Sequence, residues 1–392
     1  MEPAPIPPWL DAELYISFLY HSFSPSAITC TARSVVCPAM IILHEVKGVA
    51  AAMDEKHITP AFGVGMCPKL VGEVQSAKRA VRVNALFVLC DEFKNPGSVL
   101  GCVEAGIVGV LNDQVSSDSD PLTRQRASKA LEICARDANG CRAMLAANTA
   151  QVVAPALNDD ENDVRLHVYE ALIEMSTGSI RGVRALVASN YPAMLVSKAA
   201  NEVVAMQPLA LKLLRNCLYD DQGLEDALGH SAVETCITLL GSFDTSVRHE
   251  AANTLSTLCF AEMAKMSAIQ GDAVTVLITL LRDSEQHVRC AATGALMAIT
   301  TTDEGKRAMV PPLTDGEIES VSLLILLLHE THDLLITNTL KCISNVAVHP
   351  LAREQMKNSK ECLESLSQFC VSDHPLIAKH AIIAKKAVLW RP

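Results

Sequence analysis

Apolar and polar positions follow a helical period along most of this 392-residue chain, not the two-residue period of strands. Residues 273–281 form one apolar stripe, and Asp283 and Ser284 follow it with side chains suited to a turn and a helix N-cap. The same order of apolar stripe, polar turn and second apolar stripe recurs at residues 152–168 and 233–251. The pattern predicts short paired helices separated by polar turns.

The second stripe of each pair opens with a repeated motif: an apolar residue, an arginine or a neutral substitute, two variable residues and an alanine. We call the second residue of this motif the anchor position. Successive anchors are 38 to 47 residues apart, at Arg82, Arg124, Arg165, Ala210, Arg248, Arg289, Ile336 and Ile377. A period of roughly 40 to 47 residues is typical of HEAT and armadillo repeats, which bury their apolar stripes against neighbouring units. The sequence therefore predicts an all-α, right-handed superhelical solenoid of armadillo/HEAT type with about eight repeats over residues 53–392.

Residues 1–52 carry no repeat and are rich in proline, serine and cysteine, so we expect a poorly ordered N-terminal extension. An alternative translation start at Met53 is one hypothesis for its origin. Two polar stretches, Asp113–Pro121 and 310–316, interrupt the period and are predicted to be surface loops.

The composition supports a helical array. Hydrophobic residues make up 49% of the chain but aromatic residues only 4%, so small and unbranched side chains must fill the core between helices. The net charge is −11, from 44 acidic and 33 basic residues, which argues against a nucleic-acid partner. No apolar run approaches the roughly 20 residues of a membrane span, and Met1–Pro5 lacks the positive charge of a secretory signal. We therefore expect a cytoplasmic protein without a membrane partner.

The chain offers no recognisable catalytic or metal-binding pattern. None of its 14 cysteines occurs as Cys-x-x-Cys, and Cys134, Cys259 and Cys290 lie in apolar helical stretches, where a buried thiol is the simpler interpretation. The sequence contains no Gly-x-Ser-x-Gly nucleophile motif. We expect no enzyme activity, no cofactor, no metal and no small-molecule substrate.

The anchor arginines Arg165, Arg248 and Arg289 are candidate binding residues with two interpretations. They line one wall of the solenoid and pair with an acidic partner, or they pair with acidic residues of the adjoining turn and so link neighbouring units. The second interpretation is favoured, with Asp160 or Asp163 as the expected partner of Arg165. The acidic run 159–163 itself is expected to be a solvated turn.

A separate candidate contact lies at the C-terminal end of the chain. The last predicted helix is basic, in contrast to the acidic body, and carries Lys385 and Lys386, with Arg391 just behind it. Such a local charge contrast favours an electrostatic contact with a partner.

The repeats resemble the armadillo family, whose nuclear-import receptors hold an extended peptide with a ladder of asparagines and interleaved tryptophans on the last helix of each repeat. The matching positions in this sequence are Val88, Ile133, Glu174, Asn216, Thr257, Ala298 and Asn345. Only two of them are asparagines, and the tryptophans, Trp9 and Trp390, lie elsewhere. The resemblance therefore implies no peptide-carrying import receptor, although Asn216 and Asn345 remain candidate contacts.

A closer resemblance is to the armadillo-repeat radial spoke proteins of cilia and flagella. It covers about residues 53–392 and is carried by the stretches 53–56, 85–92, 287–298, 304–306 and 387–392, of which the run around Arg289 is the most specific. The resemblance implies a structural subunit of the axonemal radial spoke, whose partners are other radial spoke proteins and which contributes to ciliary beating. The alternative function is a soluble armadillo adaptor that binds extended peptides in transport or signalling.

Overall fold

The structure of the protein is a computed structural model that describes residues 65–310 and 318–391. The predicted extension at residues 1–52, the hypothetical start at Met53 and most of the predicted loop at 310–316 lie outside these residues. Across the described ranges every regular element is helical.

The described residues contain twenty-three α-helices, which follow one another in units of three. In chain order they are α1 Met66–Val74, α2 Arg79–Glu92, α3 Pro96–Glu104, α4 Ile107–Ser117, α5 Pro121–Ala135, α6 Ala138–Ala146, α7 Thr149–Val153, α8 Asn162–Ser176, α9 Ile180–Ala188, α10 Tyr191–Asn201, α11 Gln207–Cys217, α12 Asp221–Gly229, α13 Ala232–Leu240, α14 Thr245–Leu258, α15 Glu262–Gln270, α16 Ala273–Leu280, α17 Gln286–Ile299, α18 Asp303–Ala308, α19 Glu319–Leu327, α20 Asp333–Val346, α21 Pro350–Asn358, α22 Lys360–Phe369 and α23 Pro375–Leu389. A short 3-10 helix, Ala154–Asn158, extends α7.

Eight of these helices end a unit, and we call them the third helices: α2, α5, α8, α11, α14, α17, α20 and α23. In six of them, α2, α5, α8, α14, α17 and α20, the predicted anchor is the fourth residue of the helix. Helix α11 lacks the first turn of the others, since Asn216 bonds Ser176 as the thirteenth residue Asn345 of α20 bonds Thr300, so the predicted anchor Ala210 is wrong by three positions. In α23 the fourth residue is Ala378, so the predicted anchor Ile377 is wrong by one position. Because Leu376 and Ile377 are both apolar, the motif alone does not show which of them comes before the anchor. The buried residues of α23, which include Ile377 and Ala381, decide the register. The predicted all-α solenoid with eight repeats is confirmed.

The turn between the first and second helix of a unit needs a left-handed backbone residue. It occupies the position just before the second helix in five units, with φ between 50° and 85°, at Gly106, Asn148, Asn190, Ser231 and Asp272. Glycine, asparagine and aspartate tolerate this conformation better than other residues, which explains the residue types at four of the five turns.

The end of each third helix packs closely on the start of the next first helix. In four units the third residue of the unit's first helix is a glycine. A Cβ atom there would collide with a backbone carbonyl oxygen of the third helix that ends the preceding unit. These glycines are Gly140, Gly182, Gly223 and Gly305. A glycine at this point therefore permits the tight turn from one unit to the next.

One continuous apolar core runs through the array because every third helix contacts the third helices before and after it. Alanine, leucine, valine and cysteine dominate this core, and the largest fully buried side chains are Tyr169 and Tyr191. Cys134, Cys259 and Cys290 are buried as predicted, and burial raises the pKa of each thiol to about 12. These thiols are packing residues.

The predicted loop at Asp113–Pro121 is largely wrong. Helix α4 continues to Ser117, and α5 begins at Pro121, so only residues 118–120 form a turn. Asn112 and Val115 are buried on the inner face of α4, which stabilises the helix despite its polar outer positions.

Candidate partner-binding surfaces

The anchor arginines join consecutive units. In five units the guanidinium reaches the carboxylate of the turn in the next unit: Arg82–Asp118 at 3.0 Å, Arg124–Asp159 at 2.6 Å, Arg165–Glu202 at 2.9 Å, Arg248–Asp283 at 2.8 Å and Arg289–Glu330 at 2.5 Å. Neither the arginines nor the carboxylates are well exposed. Such partly buried, charge-assisted bonds are stronger than surface ion pairs.

Each of these arginines also holds the turn of its own unit. Nη1 of Arg165 donates to the carbonyl oxygen of Asp159 at 2.6 Å, and Nη1 of Arg289 donates to that of Asp283 at 2.8 Å. Arg248 makes the same bond to Ser242 at 3.0 Å. One side chain therefore fixes two successive turns, which is the linking role that the sequence favoured.

The predicted partner of Arg165 was wrong. Its guanidinium pairs with Glu202 of the following unit, whereas neither Asp160 nor Asp163 contributes to the ion pair. The turn at 159–163 is not simply solvated either, because Asp159 is buried against Arg124. The fourth position of a third helix faces forward along the array, so the arginine meets the next turn before its own acidic residues.

The carboxylates of these junctions are held in the charged state. Burial alone would raise the pKa of Asp159, but hydrogen bonds from Arg124 and from the backbone N–H of Glu161 outweigh it and lower the pKa. At Asp283, Arg248 and the backbone N–H of Glu285 overcome the same burial effect and lower the pKa. These anions are neutralised inside the protein and are poorly placed to attract a cationic partner.

The junction between the second and third units holds a buried polar cluster that sequence reasoning missed. The Glu132 side chain is fully buried, and its carboxylate accepts hydrogen bonds from Lys129 at 2.9 and 3.0 Å and from Arg136 at 2.5 Å. His167 Nδ1 lies 2.7 Å from the same carboxylate. Burial would raise the pKa of Glu132, but bonds from His167, Lys129 and Glu170 lower it to about 2.

The Glu132 cluster contains three possible metal ligands, Glu132, His167 and Glu170, whose ligand atoms lie within 4.8 Å of one another. Two cations already occupy the Glu132 oxygens, since Lys129 and Arg136 both bind them. The cluster therefore acts as an ion-pair network between α5 and α8. Only the spacing of Lys129 and Arg136, three and four residues from Glu132 on one helix, hinted at it in the sequence.

The two ladder asparagines bind the preceding unit. Nδ2 of Asn216 donates to Ser176 Oγ at 2.8 Å, and Nδ2 of Asn345 donates to Thr300 Oγ1 at 3.2 Å. Their amides contribute to packing between units, so neither is a free peptide clamp. A partner role for either residue stays a prediction.

One predicted ladder position is corrected. In every other full-length third helix the ladder residue is the thirteenth residue, but Val88 is only the tenth of α2. The equivalent residue is Asp91, whose carboxylate accepts a hydrogen bond from Lys94. The ladder thus carries Asp91, Ile133, Glu174, Asn216, Thr257, Ala298 and Asn345, a set that gives no continuous row of amides.

The basic C-terminal residues lie on or just beyond α23. Lys386 and Arg391 are exposed, and Lys385 is half-buried with Nζ donating to Ser367 Oγ at 3.0 Å. Trp390 is exposed beside them and lies under the guanidinium of Arg353, 5.0 Å from the ring centroid. Of the eight candidate residues, Lys386 and Arg391 are the two that are exposed.

Comparisons with known proteins agree with this geometry. Residues 245–299, which span α14 to α17, match the HEAT-like repeat family. A crystal structure of an engineered protein superposes with a TM-score of 0.73 at 23% identity, covering 83% of this chain and 78% of that one. A designed armadillo repeat protein in complex with the peptide (KR)4 superposes with a TM-score of 0.55 at 17% identity, over 59% of this chain and 99% of that one. The fold is an armadillo/HEAT solenoid.

The predicted resemblance to radial spoke proteins is confirmed. The chain is 30% identical over 255 residues to Radial spoke protein 14 of Chlamydomonas reinhardtii, a match that covers 60% of this chain and 63% of that protein. The matched part is thus less than two thirds of the relative's length. None of the described helices is long and apolar enough to cross a membrane.

Proposed function

We propose that this chain is a non-enzymatic structural subunit of the axonemal radial spoke and contributes to ciliary and flagellar motility as a protein-interaction scaffold. The observation that carries the proposal is the 30% identity over 255 residues to a radial spoke protein. The solenoid supports it, because a stacked array of helical units presents a long, rigid surface on which other proteins assemble.

The location of charge in the array supports a scaffold that is rigid between units. Five partly buried ion pairs and the Glu132 cluster link the units. The charged side chains in them are paired with one another inside the array. Partner contacts then depend on surfaces outside the junctions, such as exposed apolar side chains and the charged end of the array.

The alternative, a soluble adaptor that holds an extended peptide, has weaker support. Its fold-level argument is the structural likeness to a designed armadillo protein with bound peptide, at 17% identity. The ladder amides of Asn216 and Asn345 are already bonded within the array.

The decisive experiment follows a tagged copy of the protein in a ciliated cell and then extracts demembranated axonemes with salt. We expect the tagged protein to stay with the axoneme and to be lost together with other spoke subunits in a spoke-deficient strain. A protein that is found in the cell body or that shuttles through the nucleus would contradict the spoke assignment and favour the adaptor.

A further inference from the structure

Two positions of every third helix face the next unit in the array. The eighth residue is one of them, since the carbonyl oxygen of Thr293 in α17 accepts a hydrogen bond from Cys342 of α20. The fifteenth position is the other, just past the end of most third helices. There Ser176 and Thr300 accept hydrogen bonds from Asn216 and Asn345 of the following units.

Both positions are buried wherever a following unit is present. The eighth residues of six of the first seven third helices are 0% exposed, at Leu86, Ser128, Tyr169, Ala252, Thr293 and Leu340. Helix α11 begins three residues late, and its equivalent residue, Leu211, is also 0% exposed and accepts a hydrogen bond from Thr254 of the next third helix. The seven fifteenth positions are likewise buried, at Phe93, Ala135, Ser176, Leu218, Cys259, Thr300 and Ala347. The exposure of the residues at these two positions therefore shows whether a following unit covers a third helix.

In the last described third helix the same positions are open and apolar. Ile382, the eighth residue of α23, is 42% exposed, and Leu389, the fifteenth, is 43% exposed. Ile383 beside them is also exposed. Terminal repeats of solenoids normally carry a polar outer face for solubility, so an apolar one indicates a surface that another element covers.

Three cationic residues lie near these apolar residues in the sequence of α23 and just beyond it. Lys385 is the eleventh residue of α23, where the other third helices have a buried leucine or isoleucine at the equivalent position. Lys386 and Arg391 are exposed. The carboxylates of the neighbouring helix α22 are engaged elsewhere, because Glu361 pairs with His329 and Glu364 pairs with Lys360. We call this combination, Ile382, Leu389, Lys385, Lys386 and Arg391, the terminal face.

We propose that the terminal face binds an amphipathic helix of another spoke protein, with an apolar stripe for Ile382 and Leu389 and carboxylates opposite the cations. This inference rests on the proposed function, which supplies the class of partner. The helix stacks on α23 as a further third helix would, and its carboxylates replace the forward ion pairs that the anchor arginines make in the other units. A second copy of this chain is the poorer occupant, because a two-fold contact would bring the same cations close to each other.

The test captures whatever covers Ile382 in the cell. The full chain is expressed in ciliated cells that lack their own copy, with a photoreactive benzophenone amino acid in place of Ile382. A second version carries the same probe in place of Met263, which is 80% exposed on α15 and lies outside the terminal face. Intact cells are irradiated, axonemes are separated from cell bodies, and the attachment sites in both fractions are read by mass spectrometry.

We expect the probe at position 382 to attach to one segment of another protein, with helically spaced apolar residues and an excess of aspartate and glutamate. Attachment to a second copy or to residues 1–64 of the same chain would overturn the proposal. So would the absence of an adduct, or equal capture of the same segment from position 263.

Charge reversal separates recognition from accidental proximity. Lys386→Glu, made together with the probe at 382, removes one attraction and adds a repulsion, so the adduct yield should fall about tenfold. Lys94→Glu is the matched control, since Lys94 is equally a surface lysine but belongs to the first unit. An unchanged yield with Lys386→Glu, while circular dichroism shows intact helices, would refute the electrostatic part of the proposal.

The two proposals fail in different ways. If the protein is found in the axoneme but position 382 captures no acidic helix, the docking proposal alone is wrong. If the protein is absent from the axoneme while position 382 captures an acidic helix of another protein, the terminal face stands as a docking surface, and the spoke assignment with its class of partner is wrong.

Discussion

Replacing Arg248 with alanine tests whether the anchor arginines stabilise the array. Nε of Arg248 donates to Asp283 Oδ2 at 2.8 Å, and Nη1 donates to the carbonyl oxygens of Ser242 and Phe243, both at 3.0 Å. The Arg248 side chain is 15% exposed and that of Asp283 only 6%. The substitution therefore leaves a nearly buried carboxylate without its cation.

The expected loss of unfolding free energy depends on the hydrogen bonds that Asp283 keeps after the substitution. Removing one partner of a fully buried ion pair costs about 3–5 kcal/mol. Asp283 keeps the backbone N–H of Glu285 at 3.0 Å, and the space left by the arginine admits water. We therefore expect the free energy of unfolding to fall by about 2.5 kcal/mol, near the upper range for a hydrogen bond to a charged group.

The matched control is Arg282→Ala. Arg282 pairs with Glu319 at 2.6 Å, but both side chains are 60% exposed, so the loss should be about 0.5 kcal/mol. Urea unfolding measures the overall difference, and hydrogen exchange at α14 and α17 localises it, because a repeat array can open unit by unit. Equal effects of the two substitutions would refute the assignment of stability to the buried junction.

A double-mutant cycle isolates the pair itself. Asp283→Ala in the Arg248→Ala background should cost much less than it does in the unmodified protein, since the unpaired carboxylate is gone. The pH dependence has a defined sign. Because the folded pKa of Asp283 is lowered, its contribution is present above the usual aspartate pKa and is lost as the pH falls through the folded value. Additive single effects would contradict the predicted coupling.

Three further predictions concern the interior of the array. Glu132→Gln should remove the part of the stability that depends on pH between about 4.5 and 2. The pKa of Glu132 is lowered to about 2, so its contribution to stability is lost as the pH falls through this range. Thermal unfolding measured against pH tests this, and an unchanged profile would contradict it. Gly223→Ala should destabilise the protein by about 2 kcal/mol because its Cβ meets the Cys217 carbonyl, whereas Gly229→Ala, with open space around it, should cost little in urea unfolding. Asn345→Ala should lower stability by about 1 kcal/mol through the lost bond to the preceding unit and leave axonemal retention intact; loss of retention with unchanged stability would instead indicate a partner contact.

The sequence alone determined the class of fold and the register of most units. A period near 40 residues, with apolar stripes at helical spacing, can be satisfied only by stacking units, so it predicted the solenoid and its eight third helices. Six of the eight anchors fall on the equivalent fourth position of a third helix because Val-Arg or its equivalent marks the point where the stripe begins. The motif weakens at Ala210 and Ile377, and there the prediction slipped by three residues and by one residue.

The tertiary structure decided which charges meet. The sequence placed Arg165 near Asp160 and Asp163, yet the guanidinium reaches Glu202, 37 residues away, because side chains at the fourth position point toward the next unit. The same holds for the cluster around Glu132, whose partner His167 comes from another helix. Pairing between units depends on the stacking geometry, which no local spacing encodes.

Stacking also decided which surfaces remain open. Ile382 and Leu389 look in the sequence like ordinary core residues of a helical stripe. They are exposed because no described helix follows α23 to cover them, whereas the equivalent Leu340 and Ala347 of α20 are buried by α23 itself. An apolar residue is recognised as a contact site only when its neighbours are known, since burial is a property of the packed array.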